Sequence, residues 1–247
     1  HDDTPLVAAV KNNNEKVVHW LIEFGAIIDN EDNYNETPLV LAVRNQNKTL
    51  VKYLIACGAD VNFHSSFHNT PLLEAVEIGN EPLEGIIRLL IQQGADVNQC
   101  IENGLNPLFY AIDEKNQPLV HYLLNQGADL HFNSEQEGTA LSHAIRSGEK
   151  SLIQYLIEQG ANVHQLVKID HRNGSPLVIA IHKGSSIDII QCLLDRGADI
   201  HGDDAMVTYL IEHGADVNLM DEEGMTPLIL SIKTKKESIL TILINHG

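Results

Sequence analysis

Apolar residues recur along this chain with two alternating patterns. In the stretch "TLVKYLIACG", Leu50, Val51, Leu54 and Ile55 fall on one face of a helix. Shortly before it, "TPLVLAV" is a shorter and almost wholly apolar run that contains the small residue Ala42, and the polar turn "NQNK" separates the two runs. The pattern predicts two short helices, of which the first lies close to its neighbour and the second is amphipathic.

Local signals mark the ends of these helices. Thr37 followed by Pro38 predicts a helix start, because the hydroxyl accepts from an unpaired N–H and proline has no N–H to leave unpaired. Gly58 predicts the end of the second helix, since glycine adopts the positive φ that follows many helix C-termini. The polar residues between Gly58 and Thr70 then predict an extended hairpin.

The whole arrangement repeats about every 33 residues. The glycines that end the second helix are Gly25, Gly58, Gly94, Gly127, Gly160, Gly197, Gly214 and Gly247. The residues that start the first helix are Thr4, Thr37, Thr70, Asn106, Thr139, Ser175 and Thr226. A single pair of short helices cannot bury its apolar face alone, so neighbouring units must stack to form a continuous core.

These phrases resemble the ankyrin repeat, whose signature T-P-L-H-x-A and period of about 33 residues they follow. The resemblance covers the whole chain and implies an all-α fold, an ankyrin-repeat solenoid of stacked helix-turn-helix units joined by β-hairpin-like loops. We expect a single ankyrin-repeat domain over residues 1–247, with about eight units, the first and last incomplete. The expected units are 1–31, 32–64, 65–100, 101–133, 134–166, 167–203, a truncated unit 204–220, and 221–247.

The histidine of the signature is missing from every unit. Its place is taken by Val7, Val40, Leu73, Phe109, Ser142, Val178 and Ile229. The hydrogen bond that this histidine makes in the family is therefore expected to be absent, with apolar packing in its place.

The repeat is uneven at three places. The unit ending at Gly94 has extra residues near Pro82, which we place in a longer turn between its helices, and the unit ending at Gly197 has most of its extra residues in the hairpin "QLVKIDHRNG". Only 17 residues separate Gly197 from Gly214, so about 16 residues of the pattern are missing near Asp203–Ala205. We expect the intact chain to contain these residues, because a true deletion would expose the core faces of both neighbouring units.

The charge of the chain excludes whole classes of partner. Its formal net charge is −18 over 247 residues with no local basic patch, which excludes nucleic acid and anionic membrane surfaces. No apolar run reaches the roughly 18 residues of a membrane span, and the first residues lack the basic region of a signal peptide. Cys57, Cys100 and Cys192 do not form a secreted disulfide framework. We expect a monomeric, intracellular protein of the cytoplasm, or of a host cytosol if it is a bacterial effector.

The histidine and cysteine residues are the candidates for metal ligands or catalytic groups. There are 13 histidines, but His131, His164 and His201 occupy one position in successive units, which stacking holds too far apart to share an ion. His64 and His68 lie on a loop without further ligands nearby. A cysteine–histidine pair assembled by the fold stays open. With no nucleophile, nucleotide or zinc motif, we expect no cofactor, no metal and no enzymatic activity.

The ankyrin resemblance implies where a partner binds. In the family, partners contact the hairpin tips and the exposed face of the first helix on the concave side, so we expect a protein partner there. Along this surface Glu77, Asp113 and Glu114 lie between basic ends, and aromatic residues occupy several tips, which favours a partner segment with basic and apolar residues. The expected contact residues are Tyr34, Arg44, Phe63, Phe67, Glu77, Ile78, Phe109, Asp113, Glu114, Phe132 and Arg146.

Several interpretations stay open from the sequence alone. Phe63 and Phe132 either face the partner or pack against neighbouring hairpins. The leading interpretation is a non-enzymatic interaction scaffold. The alternatives are a substrate-targeting module of a larger enzyme or bacterial effector, whose catalytic domain lies outside these residues, and a purely structural spacer. Asn62, Asn98 and Asn218 match the asparagine that is hydroxylated in the family, and whether they are modified depends on the host.

Overall fold

A computed structural model of the chain shows its architecture. The structure describes residues 3–63, 69–79, 81–102, 104–169, 172–183, 185, 187–198, 207, 208, 211, 218, 224–233 and 237–246. These residues belong to two compact units, which we name the N-terminal module (His1–His143) and the C-terminal module (Ala144–Gly247).

Helix pairs follow one another in the N-terminal module. The first helices are α1 (Pro5–Lys11), α3 (Pro38–Arg44), α5 (Pro71–Ile78) and α7 (Pro107–Asp113), and the second helices are α2 (Glu15–Glu23), α4 (Lys48–Ala56), α6 (Glu81–Gln92) and α8 (Gln117–Asn125). Each first helix packs against its second helix, and the first helices also pack in order, α1 on α3, α3 on α5 and α5 on α7. A short antiparallel hairpin of β1 (Asn133–Ser134) and β2 (Gly138–Thr139) follows. The predicted order of paired helices and hairpin-like connections is confirmed.

Helix α9 (Ala140–Ser147) crosses the boundary between the modules. The C-terminal module continues with α10 (Lys150–Glu158), β3 (Val167–Ile169), β4 (Arg172–Gly174), α11 (Pro176–His182), α12 (Ile187–Asp195), α13 (Pro227–Lys233) and α14 (Glu237–His246). Helix α12 packs on α10 and α11, and α13 packs on α14. Strands β3 and β4 are antiparallel with Lys168 opposite Asn173, so the predicted long hairpin in this unit is confirmed.

The predicted helix starts are also confirmed. The Val40 N–H donates to Thr37 Oγ1 over 3.3 Å, and the Phe109 N–H donates to Asn106 Oδ1 over 2.9 Å. Both helices have proline at the first turn, where a missing N–H costs no hydrogen bond. The same side-chain cap recurs at Thr4, Thr70, Thr139, Ser175 and Thr226.

The second helices end at glycine as predicted. Gly58 has φ of 100°, its N–H donates to the Ile55 carbonyl over 3.0 Å, and the Ala59 N–H donates to the Leu54 carbonyl over 3.0 Å. A Cβ atom at Gly58 would meet nothing within 4 Å, so the positive φ and not lack of space selects glycine here. The same pair of backbone bonds recurs at Gly25, Gly94, Gly127 and Gly160.

The signature histidine has two kinds of replacement. Val7, Leu73 and Phe109 have no exposed surface, so apolar packing takes its place in their units as expected. The expectation is wrong at Ser142, where the Thr139 N–H donates to Ser142 Oγ over 2.9 Å and the Ser142 N–H donates to Thr139 Oγ1 over 3.2 Å. The hydroxyl forms a hydrogen bond there because it can donate and accept at once.

The extra residues of the unit ending at Gly94 lie in a helix. Helix α6 has 12 residues, whereas α4 has 9, and it starts correspondingly further from its terminal glycine. The prediction of a longer turn is therefore wrong. Pro82 is the second residue of α6, a position where proline removes no helical hydrogen bond, so it does not stop the helix from extending. The gap predicted near Asp203–Ala205 lies outside the described residues.

Candidate functional site

One cavity of the N-terminal module contains three of the residues expected to contact a partner. It has a volume of about 410 Å³ and lies at the ends of the first helices α3 and α5, beside α7. Its lining residues are Glu36, Arg44, Asn69, Glu74, Glu77, Ile78 and Tyr110. Three carboxylates and one guanidinium leave the cavity negatively charged, while Ile78 and Tyr110 provide apolar surface.

Arg44 is held by two carboxylates of its own chain. Its Nη1 and Nη2 atoms donate to the two carboxylate oxygens of Glu36, each over 2.6 Å, and its Nε donates to Glu74 Oε1 over 2.7 Å. These bonds raise the pKa of Arg44, first through Glu36 and then through Glu74. Both glutamates are buried, so the guanidinium satisfies charges that would otherwise be costly. Arg44 therefore ties the hairpin before α3 to helix α5.

Glu77 lies at the rim of this cavity. It is exposed, and its Oε2 accepts a hydrogen bond from Asn69 Nδ2, which also donates to Glu74 Oε2 over 3.2 Å. Its neighbour Ile78 is half-buried. The carboxylate of Glu77 is therefore exposed to solvent beside the apolar side chain of Ile78.

Tyr110 is one of four lining residues that the sequence analysis missed, the others being Glu36, Asn69 and Glu74. Burial, followed by the charges of Glu77, Glu74, Asp113 and Glu137 in that order, together raise the pKa of Tyr110 to about 12. A signal was present in the sequence. The position after the missing signature histidine is apolar in several units, but it is Glu74, Tyr110 and His143 in three consecutive ones. Polar residues at the same helical position of three consecutive units indicate a polar surface that spans those units.

Phe109 does not contact a partner, and its place in the expected set is wrong. Its side chain has 0% exposure, because it fills the core position of the missing histidine. The Phe109 ring centre lies 4.4 Å from that of His143 and 5.8 Å from that of Phe132. Half-buried Phe132 thus packs against a core residue of helix α7. Phe63 is also half-buried.

His143 lies beneath the acidic surface. Its Nδ1 is 2.8 Å from Asp113 Oδ1, and its Nε2 is 3.7 Å from Glu137 Oε2, which is too far for a hydrogen bond. The ring is buried, and its Nε2 atom has no hydrogen-bond partner. Because an ionised carboxylate can only accept, the Nδ1–H of His143 donates to Asp113 Oδ1.

The other expected contact residues are not brought to this cavity. Tyr34 is 67% exposed on its hairpin, and its ring centre lies 5.7 Å from Lys11 Nζ. Asp113 and Glu114 are exposed at the end of α7, and Arg146 is exposed in the C-terminal module. Phe67, with His64 and His68, lies outside the described residues.

A turn near Tyr34 shows how one of these tips is fixed. The Tyr34 and Glu36 N–H groups donate to Asp32 Oδ1 over 2.7 and 2.9 Å, and Lys11 Nζ lies 2.9 Å from Asp32 Oδ2. Burial acts to raise the pKa of Asp32, but the bonds from Glu36, Lys11 and Tyr34 outweigh it and hold the pKa below its usual value.

Two models of protein families match this chain. The model described as "Ankyrin repeats (3 copies)" matches residues 1–65, 41–134 and 115–204, and "Ankyrin repeats (many copies)" matches residues 195–244. The chain belongs to the ankyrin repeat family. The prediction made from the Thr-Pro-Leu and Gly-Ala-Asp phrases is confirmed.

Solved ankyrin repeat domains share the fold of this ankyrin repeat chain. The domain of human ASB11 is 22% identical with a TM-score of 0.62, and the match covers 99% of this chain and 98% of that one. The domain of Bcl-3, described as a unique member of the IkappaB protein family, is 27% identical with a TM-score of 0.64, and the match covers 99% of this chain and 100% of that one. No curated protein sequence matches this chain.

Ankyrin repeat domains are typically non-catalytic modules for protein–protein interaction. None of the helices in the described ranges combines the length and the apolar character that crossing a membrane requires. In the same ranges, no three His, Cys, Asp or Glu side chains are placed to share a metal ion.

Proposed function

We propose that this ankyrin repeat chain is a non-enzymatic interaction module that binds a partner segment with basic and apolar side chains. The binding surface is the acidic cavity of the N-terminal module and the adjoining ends of α5 and α7. The observation that supports this most strongly is the combination of Glu77, Ile78 and Tyr110 around one cavity of about 410 Å³. A cationic side chain is attracted by the carboxylates, and its apolar neighbours are buried against Ile78 and Tyr110.

Charge complementarity favours a basic partner over an acidic one. Arg44 is already engaged by Glu36 and Glu74, so it does not offset the exposed charge of Glu77. Asp113 and Glu114 add exposed acidic groups at the end of the next first helix. With a formal net charge of −18, the rest of the chain reinforces the attraction at long range.

The test is reversal of charge at the rim. Glu77→Lys with Asp113→Lys should weaken binding of an authentic partner, purified from lysate with the whole chain, by at least about tenfold, mainly through slower association. Glu23→Lys with Glu158→Lys makes the same change in net charge at exposed ends of second helices, and it should leave the affinity unchanged. Equal affinity for both variants would contradict the proposal.

Other expectations accompany this proposal. If the chain is the targeting module of a larger enzyme or of a bacterial effector, the complete coding sequence will contain a catalytic domain. A single domain over residues 1–247 should unfold as one cooperative transition, and a monomer should give the monomer mass in light scattering. Fluorescent tagging of the full protein tests its place in the cytoplasm.

A further inference from the structure

In the part of the chain that the structure describes, Arg88, Tyr122 and Glu84 form a triad of arginine, tyrosine and carboxylate. The guanidinium carbon of Arg88 lies 4.4 Å from the centre of the Tyr122 ring, and Arg88 Nη2 donates to Glu84 Oε1 over 2.6 Å. The guanidinium thus lies over the tyrosine ring and is hydrogen bonded to an acid on its own helix. This arrangement combines the cation–π attraction with a charge-assisted hydrogen bond.

Tyr110 is surrounded by the other components of such a triad. Glu74 and Glu77 line the same cavity as Tyr110, and Asp113 lies three residues after Tyr110 on α7, which puts both side chains on one face of that helix. The cation–ring pairs found among the described residues are Lys11 on Tyr34 and Arg88 on Tyr122, so none of them covers Tyr110. The same cavity therefore offers an aromatic face and acids without a stacked cation.

The buried ring of His143, which is bonded to Asp113, has one nitrogen without a hydrogen-bond partner. Nε2 of His143 is unpartnered, and the ring is 3% exposed. The complement of the exposed carboxylates of Glu77 and Asp113 is a group with several donors and no acceptor.

We propose that this surface binds an arginine side chain of the partner, with the guanidinium stacked on Tyr110 and hydrogen bonded to Glu77 and Asp113. The alkyl part of the arginine packs against Ile78. Arginine fits better than lysine because its planar fork has five donors and stacks on aromatic rings, whereas an ammonium is a compact and strongly hydrated charge. This inference rests on the proposed function, because it names the group that the acidic cavity recognises.

The experiment uses peptides selected from a phage-displayed random library on the whole chain. Selected peptides that compete with one another should contain arginine beside apolar residues. Replacing that arginine by citrulline, its neutral isostere, or by lysine should each weaken binding about tenfold in fluorescence polarisation. Tyr110→Leu should weaken it about tenfold as well, while Tyr110→Phe keeps the ring and should stay within about twofold.

Matched variants separate this inference from misfolding and from failure of the proposed function. Tyr122→Leu removes the ring of the internal triad and should leave peptide affinity unchanged, and circular dichroism checks that each variant is folded. Peptides that bind but tolerate Tyr110→Leu, or that prefer lysine, would overturn the arginine site and leave the proposed function standing. Peptides whose binding ignores Glu77→Lys with Asp113→Lys would overturn both.

Discussion

Asn62 is hydrogen bonded to the backbone of Asp96, one repeat further along the chain. Its Oδ1 accepts from the Asp96 N–H over 2.7 Å, and its Nδ2 donates to the Gly94 carbonyl over 3.0 Å. Asn98 makes the same two bonds to the repeat that follows it. A side-chain amide has a donor and an acceptor side by side, so these asparagines link successive hairpins of the N-terminal module.

Removing this link should destabilise the module. Asn62→Ala loses both hydrogen bonds, and we expect the free energy of unfolding to fall by about 1–2 kcal/mol, at about 1 kcal/mol for each bond. Asn62→Asp keeps the acceptor and loses the donor, so its effect should be smaller. Urea unfolding at neutral pH measures both, and an Asn62→Ala variant as stable as the unchanged chain would contradict this role.

Asp29 occupies the same position one repeat earlier, with an acid in place of the amide. Both of its carboxylate oxygens lie near the Asp60 N–H, at 3.2 and 3.3 Å, but an ionised carboxylate has no N–H for the next carbonyl. We expect Asp29→Asn to supply that donor and to raise the free energy of unfolding at neutral pH by about 0.5–1.5 kcal/mol. Glu31→Gln, which removes the same charge from an exposed position nearby, is the control and should have a smaller effect.

The gain from Asp29→Asn should depend on pH. The pKa of Asp29 lies above its ordinary value of 3.8, mainly because the carboxyl group is partly buried. The hydrogen bond from the Asp60 N–H acts to lower this pKa, and the negative charge of Asp60 acts to raise it. A raised pKa in the folded state means that the chain loses stability as pH increases through that pKa, and asparagine does not share this loss. The stability difference should therefore be smallest below pH 3.8 and grow above it. Urea midpoints measured across this range check the direction, and a difference that shrinks as pH rises would contradict it.

Truncation of a buried leucine in the stacked core should strongly destabilise the chain. Leu54 of helix α4 has 0% exposure, so Leu54→Ala should lower the free energy of unfolding by about 2–5 kcal/mol through lost burial and a residual cavity. Leu123→Ala should cost a similar amount, because that side chain is equally buried. Ile55→Ala, at a half-buried position of the same helix, should cost less. Thermal or urea unfolding of the three variants provides the comparison.

Two glycines should differ in their tolerance of alanine. At Gly58 the cost comes from the positive φ alone, about 1–2 kcal/mol. At Gly104, with φ of 83°, an added Cβ would also lie 1.9 Å from Ser134 Oγ, which accepts hydrogen bonds from Gln136 and Glu137. Gly104→Ala should therefore destabilise more than Gly58→Ala. Adding Ser134→Ala should recover part of the difference, and no recovery would show that the contact is not its cause.

The helix ends and the repeat follow from the sequence because their causes are local. The Thr37 hydroxyl caps an N–H only three residues away, and Gly58 sets its own φ. The signature of the ankyrin repeat is made of such local features, so the family and the succession of helix pairs could be predicted. The three extra residues of α6 could not be assigned, because helix and turn are both compatible with Pro82 at that position.

The binding surface depends on contacts between repeats, which only the tertiary structure decides. Arg44 meets Glu74, and His143 meets Asp113, across 30 residues of chain in each case. Phe109 is buried because neighbouring side chains close over it, and Tyr110 shares a cavity with Glu74 and Glu77 of helix α5. The sequence by itself determined the repeating scaffold, whose signals act within a few residues. The pairing and burial of each surface side chain were decided by stacking, since their partners lie one repeat away.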